Sequence, residues 1–375
     1  MVTHYRETFY RKLINSHPQH EWLIIDGEKK IDDGRPVLNK IFDFPHKRFV
    51  ETQKKIGPFT LRDYAGLFDF IKTEKPDLVI MPAISGTNSY RQIASLSRKN
   101  KLNLILWSCL WEHPDVRKNI LKILKHIIST KYLKSPSYHV AYSSFAKRKI
   151  IKCGFPENKV FIAYNGIELD GLENLRIKEE EALNIKNSLN INLHTRLFLY
   201  VGGLGPDKNV KLLLEALVLL TLKTKKDAFK LLIIGDGPER QVLQEFVNKY
   251  GLNDVVIFLG RIVESVEKYF QISDCYVLPG AGGLGLNQSM YWEKPCIVSH
   301  ADGTEEDLIN DGITGFKFKE NDKNSLSNTM NKFLNSTPFE ITNIVRKAKL
   351  KILTQSNVDK MVETFGSVIH LFENK

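Results

Sequence analysis

The sequence predicts an α/β protein built from two doubly wound domains, and three observations predict it. The chain has 375 residues, more than one hydrophobic core usually holds. Short apolar runs alternate with helical stretches, the pattern of parallel sheets with crossovers. Glycines follow the ends of successive apolar runs, most densely at 279–290 (PGAGGLGLNQSM), where backbone amides can approach a ligand without side-chain interference.

In chain order, 21–25 (EWLII) is an apolar run ending at Asp26 and Gly27 and reads as an early strand. The run 77–82 (DLVIMP) reads as a buried strand that ends in the loop 85–88, with a helix over 90–99 behind it. Strands at 103–107 (NLILW), 138–142 (YHVAY) and 159–163 (KVFIA) complete the first series. Right-handed crossovers would bring the functional loops to the C-terminal ends of these strands. The segment 168–192 is charged, holds Glu179, Glu180 and Glu181, and reads as the connection between domains.

The second series is clearer. The strand 197–201 (LFLYV) runs into the loop 202–208 (GGLGPDK), and a helix over 209–223 buries Leu212, Leu213, Leu214, Ala216 and Leu217. The strand 230–234 (KLLII) meets Gly235, Asp236 and Gly237, and Pro238 opens the next helix. The strand 255–259 (VVIFL) ends at Gly260 and Arg261. The strand 274–278 (DCYVL) leads into the glycine run, a short helix and the strand 295–298 (PCIV). Between a strand end and a helix N-terminus, such a run is a seat for a phosphate. The competing reading is a loose connector.

Hydrophobic residues make up 42% of the chain, as in globular proteins. No apolar run reaches the ~18 residues that span a bilayer, and residues 1–7 show no apolar signal segment. The four cysteines, Cys109, Cys153, Cys275 and Cys296, are scattered and lack metal-ligand spacing, so reduced cytosolic thiols are the simplest reading. Net charge is +11. Residues 1–165 carry about 29 basic and 15 acidic side chains, roughly +14, which leaves roughly −3 on the rest. The segment 116–132 (VRKNILKILKHIISTKY) sets Ile120, Leu121, Ile123, Leu124, Ile127 and Ile128 against Arg117, Lys118, Lys122, Lys125 and Lys131. That pattern fits an amphipathic helix on an anionic membrane face, or a helix packed on the sheet with a solvated charged side.

The order Asn165-Gly166-Ile167, Val201-Gly202-Gly203 with Lys208, Ile234-Gly235-Asp236-Gly237-Pro238 and Phe258-Leu259-Gly260-Arg261 resembles the C-terminal half of GT-B glycosyltransferases of family 4. So does Gly303-Thr304-Glu305-Glu306-Asp307 followed by Asp311-Gly312-Ile313-Thr314-Gly315-Phe316. His4-Tyr5-Arg6, with a helical stretch through Phe9 and Leu13, is similar to a bacterial branch of that family. The resemblance implies the GT-B fold, two Rossmann-like domains facing across a cleft. The N-terminal domain (1–167, completed by a helix at 356–375) would hold the acceptor, and the C-terminal domain (168–355) the donor. It implies transfer of a sugar from a nucleotide-sugar, with retained configuration, no metal and no cofactor beyond the co-substrate. Surface polysaccharide or glycolipid assembly at the cytoplasmic side of a membrane, on a glycan or lipid-linked acceptor, would be the setting.

The resemblance also distributes roles. Lys208 would stabilise charge on the departing diphosphate; a solvated lysine at a helix start is the competing reading. The arginine the family usually adds falls on Gly203, so one cation is missing. Gly202, Gly203 and Gly235 would line the donor site, with amides near Gly282, Gly283 and Leu284 on the phosphates. Two glutamates with seven residues between them are common in the family; here they fall on Gly280 and Gln288. Gln288 can bond a ribose hydroxyl but cannot serve as a base. Arg261 and Ile262 follow a strand end where the fold meets the nucleobase, and Asp307 stands where the family often has an acid. In the loop after Trp107, His113 would lie near the transferred sugar, Trp111 near the acceptor, and Glu112 is a candidate base. His4, Tyr5 and Arg6 would sit at the end of a first strand and touch the acceptor. Almost no residues precede them, so that strand is either cut off or absent.

Other readings rank lower. A sugar-nucleotide-binding partner without turnover is kept open by Gly203 and Gln288. A nicotinamide oxidoreductase needs a glycine turn with an acid about 20 residues on, and no stretch meets both conditions. The basic half has no recognised nucleic-acid motif.

Overall fold

The computed structural model describes residues 4–28, 42–56, 59–108, 129–300 and 302–373. The chain divides into two units, 1–165 with 358–375, and 166–357.

In the first unit, helix α1 (His4–Ser16) precedes strand β1 (Ile24–Glu28). Strands β2 (His46–Ile56) and β3 (Phe59–Tyr64) follow, then α2 (Leu67–Glu74), β4 (Leu78–Pro82), α3 (Asn88–Arg98) and β5 (Asn103–Ser108). After them come β6 (Tyr138–Ala141), α4 (Ser144–Lys152) and β7 (Val160–Ile162). The strands β4 to β7 form a four-stranded sheet in sequence order, every pair parallel. β1 pairs parallel with β2, and β2 antiparallel with β3, in a smaller sheet. Side chains on a strand alternate between faces. On β5, Leu104 and Leu106 enter one core with Met81, Ile93 and Ala94. Ile105 enters the opposite core with Phe9, Leu13, Val140, Met361 and Phe365. That second core is closed by α1 and by the chain's last described helix, which returns to this unit.

His4, Tyr5 and Arg6 do not end a strand, as the resemblance implied; they open α1. Phe9 and Leu13, four residues apart on that helix, are 2% and 3% exposed, a spacing that aligns them on one helical face. The basic segment 116–128, Trp111, Glu112 and His113 lie outside the described residues.

The second unit begins with α5 (Glu179–Ser188), inside the charged segment expected to be a connection. Its residues Ala182 and Ile185, with Leu189 just past its end, pack on the unit's own core together with Ile177. The segment therefore belongs to this unit's structure. Then come β8 (Arg196–Val201), α6 (Val210–Thr221), β9 (Phe229–Ile234), α7 (Arg240–Lys249), β10 (Val256–Gly260), α8 (Glu267–Ile272) and β11 (Cys275–Leu278). They are followed by α9 (Gly285–Tyr291), β12 (Cys296–Val298), α10 (Thr304–Leu308), β13 (Phe316–Lys317), α11 (Lys323–Leu334) and α12 (Pro338–Thr354). The final helix α13 (Val358–Glu373) belongs to the first unit.

The sheet order is β10-β9-β8-β11-β12-β13, all parallel. This is the doubly wound order, with its reversal between β8 and β11. Both faces are covered, so the strands read as unbroken apolar runs. Phe198 and Tyr200 of β8 face one core, and Leu197 and Leu199 the other. The first helix after β8 buries Leu212, Leu213, Leu214, Ala216 and Leu217 at 8% exposure or less. Helix α12 starts on a capping box, Thr337 with Glu340, and a proline in its first turn, which satisfies amides that would otherwise be orphaned.

Candidate functional site

In an open parallel sheet, ligands bind outside the carboxyl ends of the strands where the order reverses. Here that point lies between β8 and β11, and the loops after both strands meet there. After β8, the Gly202 amide donates to the Ile234 carbonyl and the Leu204 amide to the Asp236 carbonyl, both at 3.0 Å. Gly235, at φ 148°, lies so close to that loop that a Cβ would stand 1.8 Å from the Gly202 oxygen. Only glycine fits such an approach.

The loop after β11 locks onto the same segment. The Ala281 amide donates to the Asp207 carbonyl at 2.9 Å. A Cβ on Gly280 would meet the Asp207 oxygen at 2.6 Å and the Lys208 carbonyl carbon at 2.7 Å. Lys208 follows from this packing. Its Nζ donates to the Gly282 carbonyl at 3.4 Å and lies 3.1 Å from the Asp207 carboxylate, with 24% of the side chain exposed. It is held against the glycine run and is not a freely solvated lysine.

Among the described residues, the amides of Gly203, Gly282, Gly283 and Leu284 donate no hydrogen bond to the protein. Helix α9 behind them has only seven residues, so the run's own N–H groups, and not a long helix dipole, supply its electropositive character. Position 203 is open; a Cβ there would find its nearest atom, the Asp236 oxygen, 4.0 Å away. Its carbonyl accepts from the Tyr200 hydroxyl at 2.7 Å. Burial pushes the Tyr200 phenol well above its usual range, so it stays a neutral donor.

The other expected donor residues fall at different distances from this centre. Gln288 is half-buried on α9, and its buried Oε1 has no hydrogen-bond partner among the described residues. Arg261 and Ile262 follow the edge strand β10, linked to the centre through the Gly235 amide, which donates to the Gly260 carbonyl at 2.8 Å. Arg261 is exposed, and Ile262 packs on the core. Asp307 lies on α10, where its carbonyl accepts from Lys351 Nζ at 2.6 Å. Burial pushes that lysine's pKa down.

After β12, sequence reasoning read Gly303 to Asp307 as a motif but gave no role to His300, Asp302, Glu305 or Glu306. His300 Nδ1 lies 3.0 Å from Glu306 and 3.5 Å from Glu305. Glu305 is 1% exposed, and its carboxylate accepts from the Gly303 amide at 3.0 Å. Asp302 turns toward the glycine run. The available signal was its place at a strand end, the position that marked the other loops.

In the first unit, Arg6 is 8% exposed. Its Nη2 donates to the Tyr142 hydroxyl at 2.9 Å, and its guanidinium lies 4.3 Å from the Trp107 ring centroid, a cation–π contact. Trp107 packs edge-on against Phe365. His4 and Tyr5 share the first turn of α1 with Arg6. Among the described residues, no helix is long and apolar enough to cross a membrane.

Comparison with known proteins follows this geometry. An uncharacterised glycosyltransferase of Methanocaldococcus jannaschii is 25% identical over 56% of this chain. The chain spans about half of that relative's length, 53%. The lipopolysaccharide 1,2-N-acetylglucosaminetransferase of Salmonella typhimurium is 22% identical over 90% of this chain and 84% of its own. The Anabaena protein HepE, solved in complex with UDP-glucose, superposes with a TM-score of 0.73 at 16% identity, covering 99% of this chain and 97% of that one. Residues 181–352, which hold both glycine-bearing loops, match the family described as glycosyl transferases group 1. With its doubly wound parallel sheet, this chain has the GT-B fold of its structural neighbours, and its residues 181–352 are those of a group 1 glycosyltransferase.

Proposed function

We propose that the chain moves a sugar from a nucleotide-sugar to an acceptor hydroxyl in the assembly of a surface polysaccharide or glycolipid. The second unit would hold the donor and the first the acceptor. One observation carries this reading: Lys208 and the unbonded amides of Gly203, Gly282, Gly283 and Leu284 gather at the β8–β11 reversal. Amides and a cation are what a diphosphate requires. HepE with UDP-glucose and the Salmonella lipopolysaccharide transferase support the choice of donor and setting.

In the proposed reaction, the acceptor oxygen bonds to the anomeric carbon and gives up its proton to the departing β-phosphate oxygen. The bond from that carbon to the β-phosphate oxygen breaks, and its electron pair leaves with the nucleoside diphosphate. Lys208 and the run's amides meet the growing negative charge, where preorganised donors act most strongly. Gln288 Oε1, a buried acceptor without a partner, would take a ribose hydroxyl. Arg261 and Ile262 would flank the nucleobase through backbone groups, and Asp307 would help a donor-side loop. His113 and Glu112 would stand near the transferred sugar, with Trp111, His4, Tyr5 and Arg6 on the acceptor side. Retention of configuration belongs to the same proposal, as does independence from metal, since Lys208 and the run's amides already oppose the diphosphate charge. The basic segment 116–132 would bind an anionic membrane face carrying the acceptor.

The test is a panel of nucleotide-sugars read by thermal stabilisation, followed by transfer assays with a chelator present and absent. A ligand at 100 times its Kd adds about 2.7 kcal/mol. A chain that no nucleotide-sugar stabilises would refute the proposal. One observation favours a second reading, a binding partner without turnover: position 203 is glycine on an open surface, so Lys208 lacks a neighbouring cation there. Tight donor binding with neither transfer nor hydrolysis would support it.

A further inference from the structure

The loop after β12 brings a carboxylate to the glycine run from the next strand. Asp302 Oδ2 lies 3.6 Å from where a Cβ on Gly282 would stand. Its Oδ1 accepts from the Thr304 amide at 3.0 Å, which fixes the side chain. Among the described residues, Oδ2 takes no hydrogen bond. The neighbouring acids are engaged differently: Glu305 with the Gly303 amide, and Glu306 with His300. Lys208 Nζ meets Gly282 at its carbonyl, 3.4 Å away. One glycine thus has a cation at its carbonyl and a half-free carboxylate beside its Cα.

The run itself offers no acid. The backbone of Asp207 and Lys208 presses on Gly280 closely enough to exclude any side chain there. A carboxylate beside a diphosphate repels it, the more so where the protein lowers the effective dielectric. Such a group is useful only if it accepts a proton donor joined to that diphosphate. In a nucleotide-sugar, the donor nearest the β-phosphate is a hydroxyl of the sugar. A carboxylate oxygen accepting from a hydroxyl makes a short, charge-assisted bond.

We propose that Asp302 reads a hydroxyl of the transferred sugar and so sets donor-sugar preference. This rests on the nucleotide-sugar reading above. A site that bonds a substrate hydroxyl discriminates strongly against donors lacking it. The same arrangement separates two tasks: Lys208 and the amides bind whatever carries a diphosphate, and Asp302 asks which sugar is attached.

The test uses the full chain and calorimetric titration with two pairs, UDP against UDP-glucose and GDP against GDP-mannose. Asp302→Asn keeps an oxygen for the Thr304 amide and replaces the free acceptor with a donor; Asp302→Ala removes both. For whichever pair binds the wild-type chain, both variants are expected to bind the nucleoside diphosphate at least as tightly as wild type, since the repelling charge is gone. The nucleotide-sugar is expected to lose about tenfold. Equal loss for both members of the pair would mean that Asp302 only shapes the loop, and an unchanged nucleotide-sugar affinity would mean that it touches no sugar; either result overturns the inference. A wild-type chain that binds neither pair would instead fail the nucleotide-sugar reading, and this inference with it.

Discussion

Replacing Gly280 by alanine tests whether the two strand-end loops truly interlock. The new Cβ would stand 2.6, 2.7 and 2.8 Å from the Asp207 oxygen, the Lys208 carbonyl carbon and the Lys208 oxygen. All three are backbone atoms, so no flexible side chain can swing away. Ordinary contact begins near 3.4 Å, so one loop must retreat by about 0.8 Å, at the ~1–3 kcal/mol typical of overpacking. The bond from the Ala281 amide to the Asp207 carbonyl, 2.9 Å, sits on the same contact and is worth about 1 kcal/mol. The expected loss is about 2–4 kcal/mol. For a domain of this size, each kcal/mol shifts Tm by about 2–4 °C, so calorimetry should find the second unit melting roughly 5–15 °C lower. Because Lys208 rides on the displaced loop, stabilisation by whichever nucleoside diphosphate binds the wild type should shrink as well. Gly283 is the control: a Cβ there meets nothing within 4 Å, and Gly283→Ala should stay within about 0.5 kcal/mol of wild type. A Gly280→Ala variant that melts with the wild type and binds that nucleoside diphosphate as well would refute the interlocked site.

Other outcomes follow from the same structure. Lys208→Ala should lower turnover by about tenfold or more, roughly 1.4 kcal/mol of barrier, with Tm unchanged; an undiminished rate would remove Lys208 from the leaving-group role. His139 is fully buried, bonded through Nε2 to the Leu133 carbonyl at 2.7 Å, and burial pushes its pKa down from 6.5 to about 4. The fold holds the neutral imidazole, so this group costs nothing above pH 6.5. Stability then falls by about 1.4 kcal/mol per unit as pH drops from 6.5 toward 4. Urea unfolding of His139→Gln should show a flatter slope in that window, and an identical slope would assign the acid sensitivity elsewhere. Paired Lys122→Glu and Lys125→Glu changes should weaken sedimentation with anionic vesicles at low salt; equal binding would favour a plain packed helix.

Much of the second unit was legible because its strands are buried on both faces. The stretches 197–201, 231–234 and 275–278 carry no charged residue, and their observed ends agree with the reading. β2 was not legible: its sequence HKRFVETQKKI has too few apolar residues to stand out, and its pairing with β1 and β3 is a tertiary fact. The charged segment 168–192 hid a helix because Ala182, Ile185 and Leu189 are scattered among acids. At the site, glycine density pointed to the right loops, and the close approaches explain why it had to be glycine. Asp302 escaped notice because its role depends on where a neighbouring strand's loop lands, which no local pattern encodes. Arg6 was assigned by analogy to a strand end, whereas the spacing of Phe9 and Leu13 already signalled a helix.

The return of α13 to the first unit orders events during synthesis. Val358, Met361, Phe365, Val368 and Ile369 fill the core that Phe9, Leu13 and Ile105 begin. A ribosome delivers those five side chains only after the whole of the second unit has been made. The second unit, 166–357, is continuous and can complete itself first, since domains generally fold as units during translation. Until the final turn arrives, the earlier-made lobe waits with an apolar flank uncovered, so chaperone demand falls on the segment translated first.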